Sequence, residues 1–486
     1  MVSLRENVET DSLHISVDGN HLSAHVDVVS PMAADGDGPS RYSVRQAAMH
    51  NVHGMAQDVI WLVRGRQGDH SCVLDCEWVS DGKDRSPALL DPKASTWSVQ
   101  FEARVAGSLD EQRLRAAFAA ALGTSDEEGV RLDVVSCDDQ AGLQAARATL
   151  LSVGVGLVGR PPLRATLAHH PDGDVLMLNV NHAAADGPGV LQVLRAIARA
   201  YAGHVEDEPA LDFLACRELP VRPGTPHASL AARTLKRAVN RVRDTLARPG
   251  HLADDGGRED ATAYGFHTLA LDAALTARIT DLERAHSDRH ALMAALQLAI
   301  GHWNREHDKP IHQVGVLVPA DLRPDDWGED VVGNFSVTAR VSTGRLERRN
   351  AKSALKAVAA QNARNTRLRT GVALIDGLRR NGLLAMWAKQ SLIVLQPLTG
   401  NHHVDAAMLC DLGRVDLPAF GDGEIREIWF SIPTRSPMCM CVGAAAVGER
   451  LHLTLRYPQR ILGADAARRF GDLLVAQIER VAGQEI

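Results

Sequence analysis

Aromatic residues are scarce in this chain: eight Phe, seven Trp and four Tyr make up 4% of 486 residues. Aliphatic side chains must therefore fill its core. Long apolar runs are missing as well, and no stretch approaches the ~20 consecutive apolar residues of a membrane-spanning helix. Residues 1–17 mix Glu, Asp and Arg with few apolar residues, which is not the composition of a secretory signal. Together these absences predict a cytoplasmic protein with no membrane span.

Paired cysteines are lacking too. The seven cysteines are odd in number and scattered, at Cys72, Cys76, Cys137, Cys216, Cys410, Cys439 and Cys441, as expected of reduced thiols. His70, Cys72 and Cys76 could form half a zinc site, but no second ligand pair follows at the usual spacing, so no metal is expected. Nor is there an excess of positive charge. Lys and Arg total 53 against 60 Asp and Glu, a net charge of -7, which gives no global attraction to nucleic acid. An anionic co-substrate would need a local basic patch.

What is present is an ordinary globular composition, 45% hydrophobic and 23% charged, on a chain too long for one core. Strand and helix patterns alternate along it, which predicts an α/β protein of two lobes. Residues 1–90 read as an N-terminal extension or a diverged first unit, with a hairpin through Leu13–Val17 and Leu22–Val28 and a strand at 59–63. Residues 91–205 read as a first lobe. Residues 206–262 read as a linker, Pro-rich at 218–224, with a basic helix near 230–246. Residues 263–486 read as a second lobe.

The clearest local pattern lies in the first lobe. A strand at 163–168 and turn chemistry at His170-Pro171-Asp172-Gly173 precede an almost wholly apolar strand, Val175 to Val180, which should be buried on both faces. That strand runs into Asn181-His182-Ala183-Ala184-Ala185-Asp186-Gly187, and an amphipathic helix follows. The end of a buried strand entering a helix is where open α/β sheets bind ligands. A histidine there, with an ordinary pKa near 6.5, suits proton abstraction from a hydroxyl or an amine. Asp186 could contact that histidine or pin the loop by pairing with a distant arginine. Gly187 would permit a backbone conformation that other residues resist.

This segment resembles the His-His-x-x-x-Asp-Gly motif of the CoA-dependent acyltransferase superfamily, which includes chloramphenicol acetyltransferase-like enzymes, nonribosomal peptide condensation domains, polyketide-associated acyltransferases and wax ester synthases. The first histidine of the motif is replaced here by Asn181. Tyr201-Ala202-Gly203, the run from Val318 to Pro324, Val332-Gly333-Asn334-Phe335 and Cys410-Asp411-Leu412-Gly413-Arg414 resemble further family segments, in the family order over roughly residues 95–480.

The resemblance implies two chloramphenicol acetyltransferase-like lobes with an active-site tunnel between them. It implies His182 as the general base, and Asp186 as a structural residue paired with an arginine, for which Arg323 is the candidate. Asn181, Gly187 and Asn334 would shape the site. It implies acyl transfer from a CoA or carrier-protein thioester to a hydroxyl or amine, in natural-product or lipid biosynthesis. No cofactor would be bound permanently; the co-substrate would be a CoA or phosphopantetheine thioester, and the partners an acyl-CoA or acyl carrier protein and a small-molecule acceptor. A free-standing condensation enzyme joining two carrier-bound intermediates, or a catalytically silent binding module, are the alternatives. His169-His170 precede a turn and read as facing solvent, and His402-His403 read as a loop. The basic residues from Arg233 to Arg248 read as a solvated face or a dock for an acidic carrier.

Overall fold

The computed structural model describes residues 98–484 apart from 125–128, 153–154, 156–160, 183, 205–210, 212–249, 259–260, 262–263, 287–289, 322, 324–331, 368–404 and 434–439. It describes the backbone alone at 320, 337, 338, 366 and 367 and in the strands within 2–78. The basic helix, most of the linker, His402-His403, Cys216, Cys439 and the side chains of His70, Cys72 and Cys76 lie outside the described residues.

Strands β1 (Val2–Leu4), β2 (Thr10–Asp18), β3 (His21–Val28), β4 (Arg41–Met49), β5 (Ile60–Gln67) and β6 (His70–Trp78) form an antiparallel sheet in the order β1-β6-β5-β4-β3-β2. The expected hairpin is its β2–β3 pair.

The first lobe is built on a five-stranded sheet. Its strands are β7 (Ser98–Val105), β8 (Arg131–Ser136), β9 (Leu163–His169) and β10 (Val175–Asn181), joined by β15 (Ile425–Ser431) from far along the chain. Their order is β15-β7-β10-β9-β8. Strand β10 is central, pairing antiparallel with both β7 and β9, and both of its faces are packed over. Leu176, Leu178 and Val180 join the core beneath α1 (Glu111–Leu122) and α3 (Gly187–Ala202), while Val175 and Met177 pack on the other face near α2 (Gln140–Ser152). That two-sided burial is why the strand reads as a continuous apolar run. Local chemistry fixes the helix ends. Asp110 caps α1 by accepting from the Arg113 amide at 2.7 Å, and Gly123, at φ 62°, closes it in the left-handed region.

The second lobe holds β11 (Tyr264–Ala270), β12 (Gln313–Asp321), β13 (Ser336–Gly344), β14 (Ala407–Arg414), β16 (Met440–Val447) and β17 (Arg450–Pro458), ordered β11-β17-β16-β14-β12-β13. The β12–β14 and β14–β16 pairs are parallel and the rest antiparallel. Helices α4 (Ala273–His286), α5 (Ala291–Glu306), α6 (Ala351–Arg367) and α7 (Ala464–Ala482) contribute to its core. Strand β12 continues through Pro319 to Asp321. Among the described residues no helix is long and apolar enough to cross a membrane, and no group of His, Cys, Asp or Glu is arranged to hold a metal.

Strand β17 alternates strictly. Leu451, Leu453, Leu455 and Tyr457 enter the second core. His452, Thr454 and Arg456 take the opposite face, where His452 meets Trp429 of β15 edge-on at 4.8 Å and Arg456 donates to the Ser98 carbonyl at 3.2 Å. This seam joins the lobes. It also contains a titratable liability. His452 is 2% exposed, and neither ring nitrogen has a hydrogen-bond partner. Burial pushes its pKa down from 6.5 to about 4. The unfolded chain therefore takes up the proton first as pH falls, so stability is full above about 6.5 and declines through the window down to about 4. Urea unfolding should show wild type losing roughly 2–3 kcal/mol more than His452→Leu between pH 7 and pH 4.5. Equal losses in the two proteins would remove His452 from the acid response.

Candidate active site

The motif begins where β10 ends. The Asn181 carbonyl accepts from the Ala184 amide at 2.9 Å and the Ala185 amide at 3.2 Å, folding the chain back into a tight turn. His182 occupies that turn, half-buried. Its Nδ1 lies 3.1 Å from the Ala185 carbonyl oxygen. A carbonyl only accepts, so Nδ1 donates and the lone pair falls on Nε2. Asn334 Nδ2 stands 3.4 Å from the same Nδ1 and 2.7 Å from the His182 carbonyl. Two donors do not bond to each other, so the shorter contact is the effective one, and Asn334 holds the histidine backbone rather than its ring. Burial pushes the His182 pKa below its usual 6.5, against the opposing influence of the Ala185 bond and the Asp186 charge. The ring is therefore neutral at pH 7.

Asp186 is 1% exposed. One carboxylate oxygen accepts from the Gly189 amide at 2.9 Å, capping α3, and from Arg323 Nη2 at 2.7 Å. The other accepts from Arg323 Nη1 at 3.0 Å, the Phe335 amide at 2.9 Å and the Ser336 hydroxyl at 2.7 Å. Burial alone would lower the Arg323 pKa; the bond to Asp186 and its charge outweigh that, and the guanidinium is held above its ordinary value. Arg323 also donates to the Gly333 carbonyl at 2.9 Å, and the Asp186 amide donates to that same carbonyl at 3.1 Å. The carboxylate thus ties the β10–α3 turn of one lobe to the β12–β13 connection of the other.

Asn181 is the last residue of β10, opposite Ser98, and its Nδ2 donates to the Val155 carbonyl at 2.6 Å. Gly187 corrects a sequence expectation. It lies in the first turn of α3 without a positive φ, so the reason for glycine is space: a Cβ there would stand 3.0 Å from Phe430 Cζ and 3.3 Å from Leu412 Cδ2. His170 is a second correction. Instead of facing solvent it is buried, with Nδ1 3.2 Å from Arg104 Nη1, because the turn at Gly173 folds against the Arg104 side chain. His169 is the more exposed of the two and lies 2.8 Å from Asp174.

The structure therefore brings His182, Asp186, Arg323 and Asn334 into one cluster and leaves Asn181 bonded to a different loop. Sequence reasoning missed Ser336 and the carbonyls of Ala185 and Gly333. No residue pattern marks a backbone oxygen, but a serine two residues beyond Asn334 was available to notice. Chemically, the cluster presents a neutral imidazole of fixed tautomer on a rigid turn, the arrangement a general base needs.

No known protein-family profile matches the chain. Two proteins of Mycobacterium tuberculosis match it over most of their length. Uncharacterized protein Rv2305 of strain H37Rv is 31% identical over 405 residues, 77% of this chain and 93% of its own, and its counterpart in strain CDC 1551 gives the same values. Among solved structures, the first condensation domain of the calcium-dependent antibiotic synthetase, in complex with a substrate analogue, aligns with a TM-score of 0.53 at 17% identity, over 81% of this chain and 93% of that one. The epimerization domain of the third module of tyrocidine synthetase B aligns at 0.51 and 15%, over 80% and 91%. The starter condensation domain of rhizomide synthetase, in a mutant form with C8-CoA, aligns at 0.52 and 14%, over 81% and 91%. At such identities the likeness is one of fold. The chain belongs to the family of the Mycobacterium tuberculosis protein Rv2305, and its two-lobed fold is that of the condensation domains.

Proposed function

We propose that the chain transfers an acyl group from a CoA or carrier-protein thioester to a hydroxyl or amine, with His182 as general base. The observation that carries this reading is the Nδ1 contact with the Ala185 carbonyl, which assigns the lone pair to Nε2 of an imidazole kept neutral at pH 7. Nε2 takes the proton from the acceptor as its oxygen or nitrogen attacks the thioester carbonyl. A tetrahedral oxyanion forms and must meet hydrogen-bond donors. It collapses with cleavage of the carbon–sulfur bond, and the imidazolium returns the proton to the departing thiolate. In this reading donor and acceptor reach His182 between the lobes, the first formed by residues 91–205 completed by β15 and the second by the rest of 263–486, joined through the 206–262 linker. A condensation domain of the same fold solved with C8-CoA supports a CoA thioester as donor.

The test is acceptor-dependent release of free thiol from acyl-CoA and from acyl-phosphopantetheine, with the ester or amide identified by mass spectrometry. Release that depends on the acceptor and on His182 is expected. Its absence with every donor and acceptor class would favour the silent binding module. Asn181→Ala should be mild, losing no more than about tenfold in kcat/KM, since it removes one hydrogen bond to the Val155 carbonyl. A loss as large as that of His182→Ala would instead put Asn181 in contact with the reacting atoms.

A further inference from the structure

A cleft at the far end of the second lobe takes no part in this chemistry. It opens between the last turn of α5 and the turn after β13, encloses ≈ 290 Å³, and is lined by Arg305, Arg345, Arg348 and Arg349 with Gly301 and Ile311. Strand β13 leads to it from the active site. Ser336, at one end, bonds Asp186; Gly344, at the other, precedes Arg345. At strand geometry that separation is roughly 27 Å.

The cleft is charged in one sign. Four guanidiniums line it and no carboxylate does. Among the described residues none of the four forms an ion pair, and the neighbouring Glu347 turns instead to the Gly344 amide. Arg348 is 6% exposed. Its terminal nitrogens donate to the carbonyls of Thr343, Ile311 and His312, while Nε, set against Gly301, has no partner. Burial first, and then the like charge of Arg305, lower its pKa to about 10, with Arg345 acting in the same direction. Holding a guanidinium out of water beside two others is unfavourable unless an anion shares the site. The planar fork of arginine matches the oxygens of a phosphate group in pairs. The cleft is partly open, and its volume of ≈ 290 Å³ lies at the lower edge of the small-ligand range.

We propose that this cleft binds a phosphate-bearing ligand, its oxygens held by Arg305, Arg345 and Arg349 over the buried Arg348. Two sources share that chemistry: a soluble phosphate ester, and a phospholipid headgroup. Leu346, 80% exposed beside the cleft, is placed to meet the apolar part of a lipid.

The experiment follows thermal unfolding of the full chain with inorganic pyrophosphate, at constant ionic strength set by sodium chloride. It is paired with co-sedimentation on phosphatidylcholine vesicles with and without phosphatidic acid. Wild type should show a saturable rise in Tm or selective binding to the phosphatidic acid vesicles. Arg305→Gln/Arg345→Gln should weaken either by about tenfold or more. Both side chains are exposed, so the variant should fold. Arg305→Lys/Arg345→Lys, which keeps the charge and loses the fork, should fall between the two and serves if the first variant unfolds. Leu346→Ser should reduce vesicle binding while leaving the pyrophosphate response unchanged if the source is lipid, and should change neither if it is soluble. Absence of saturable binding in both arms, or equal binding by wild type and the glutamine variant, would overturn the proposal.

Discussion

Replacing His182 by alanine is expected to lower turnover by about 10² to 10⁴ while KM for donor and acceptor changes little. Removing the acceptor's proton belongs to the transition state, so the effect appears in kcat rather than in binding. Folding should survive, because the ring is half-buried and the bond to the Ala185 carbonyl that its removal deletes lies within the turn itself. The pH profile carries a second signature. With the folded pKa lowered by burial, the base stays deprotonated below the ordinary imidazole value, so the acid limb of wild-type kcat/KM should lie below pH 6.5. The checks are steady-state thiol release across pH and a circular-dichroism spectrum of the variant. Wild-type turnover in a folded His182→Ala protein would rule out base catalysis at this residue and leave the binding-module reading ahead.

Asp186→Ala should act on stability first. The carboxylate is buried and satisfies Arg323, the Gly189 and Phe335 amides and the Ser336 hydroxyl; alanine removes the acceptor from each, leaving Arg323 with only Asp321 and the Gly333 carbonyl. Breaking a buried ion pair from one side costs about 3–5 kcal/mol, part of which here is removal of the α3 cap. Activity should fall with it, because the same carboxylate holds the Gly333–Ser336 segment, with Asn334 on the His182 backbone, against the motif turn. Asp186→Asn should be intermediate in stability. It keeps one acceptor oxygen but brings an NH₂ among groups of which only the Ser336 hydroxyl can accept from it. Urea unfolding and Tm of the two variants against wild type are the measurement. Wild-type stability in Asp186→Ala would show that this join between the lobes is dispensable.

Much of the motif's surroundings was legible in the chain. The apolar run of β10 announced burial on both faces, and the structure places it at the centre of its sheet. The helix after it was legible from periodicity, and its end at Tyr201-Ala202-Gly203 is real, with Gly203 at φ 90°. Other elements escaped notice. Helix α2 and strands β8, β11, β14 and β15 have short or mixed patterns whose meaning depends on what covers them. Strand β15 is the plainest case: Ile428 and Phe430 enter the first core while Trp429 faces His452 of the second lobe. Its alternation reports two faces but not which sheet it joins. His170 looked like a turn residue because the buried arginine that covers it, Arg104, is 66 positions away.

The sequence by itself determined the elements whose physics is local. These are the strand that ends at Asn181, the turn that follows, the amphipathic helix after it, and the residue type suited to base chemistry. Such features depend on neighbours within a few positions, so composition and spacing reveal them. Only the tertiary structure decided that Asp186 meets Arg323, 137 residues away, that a backbone carbonyl assigns the tautomer of His182, and that β15 crosses between the lobes. It also gathered Arg305 and Arg345 around a buried Arg348. Contacts of this kind must offset the entropy of closing long loops, and they form only where both sheets are already packed. Nothing in the local pattern of either partner encodes that condition.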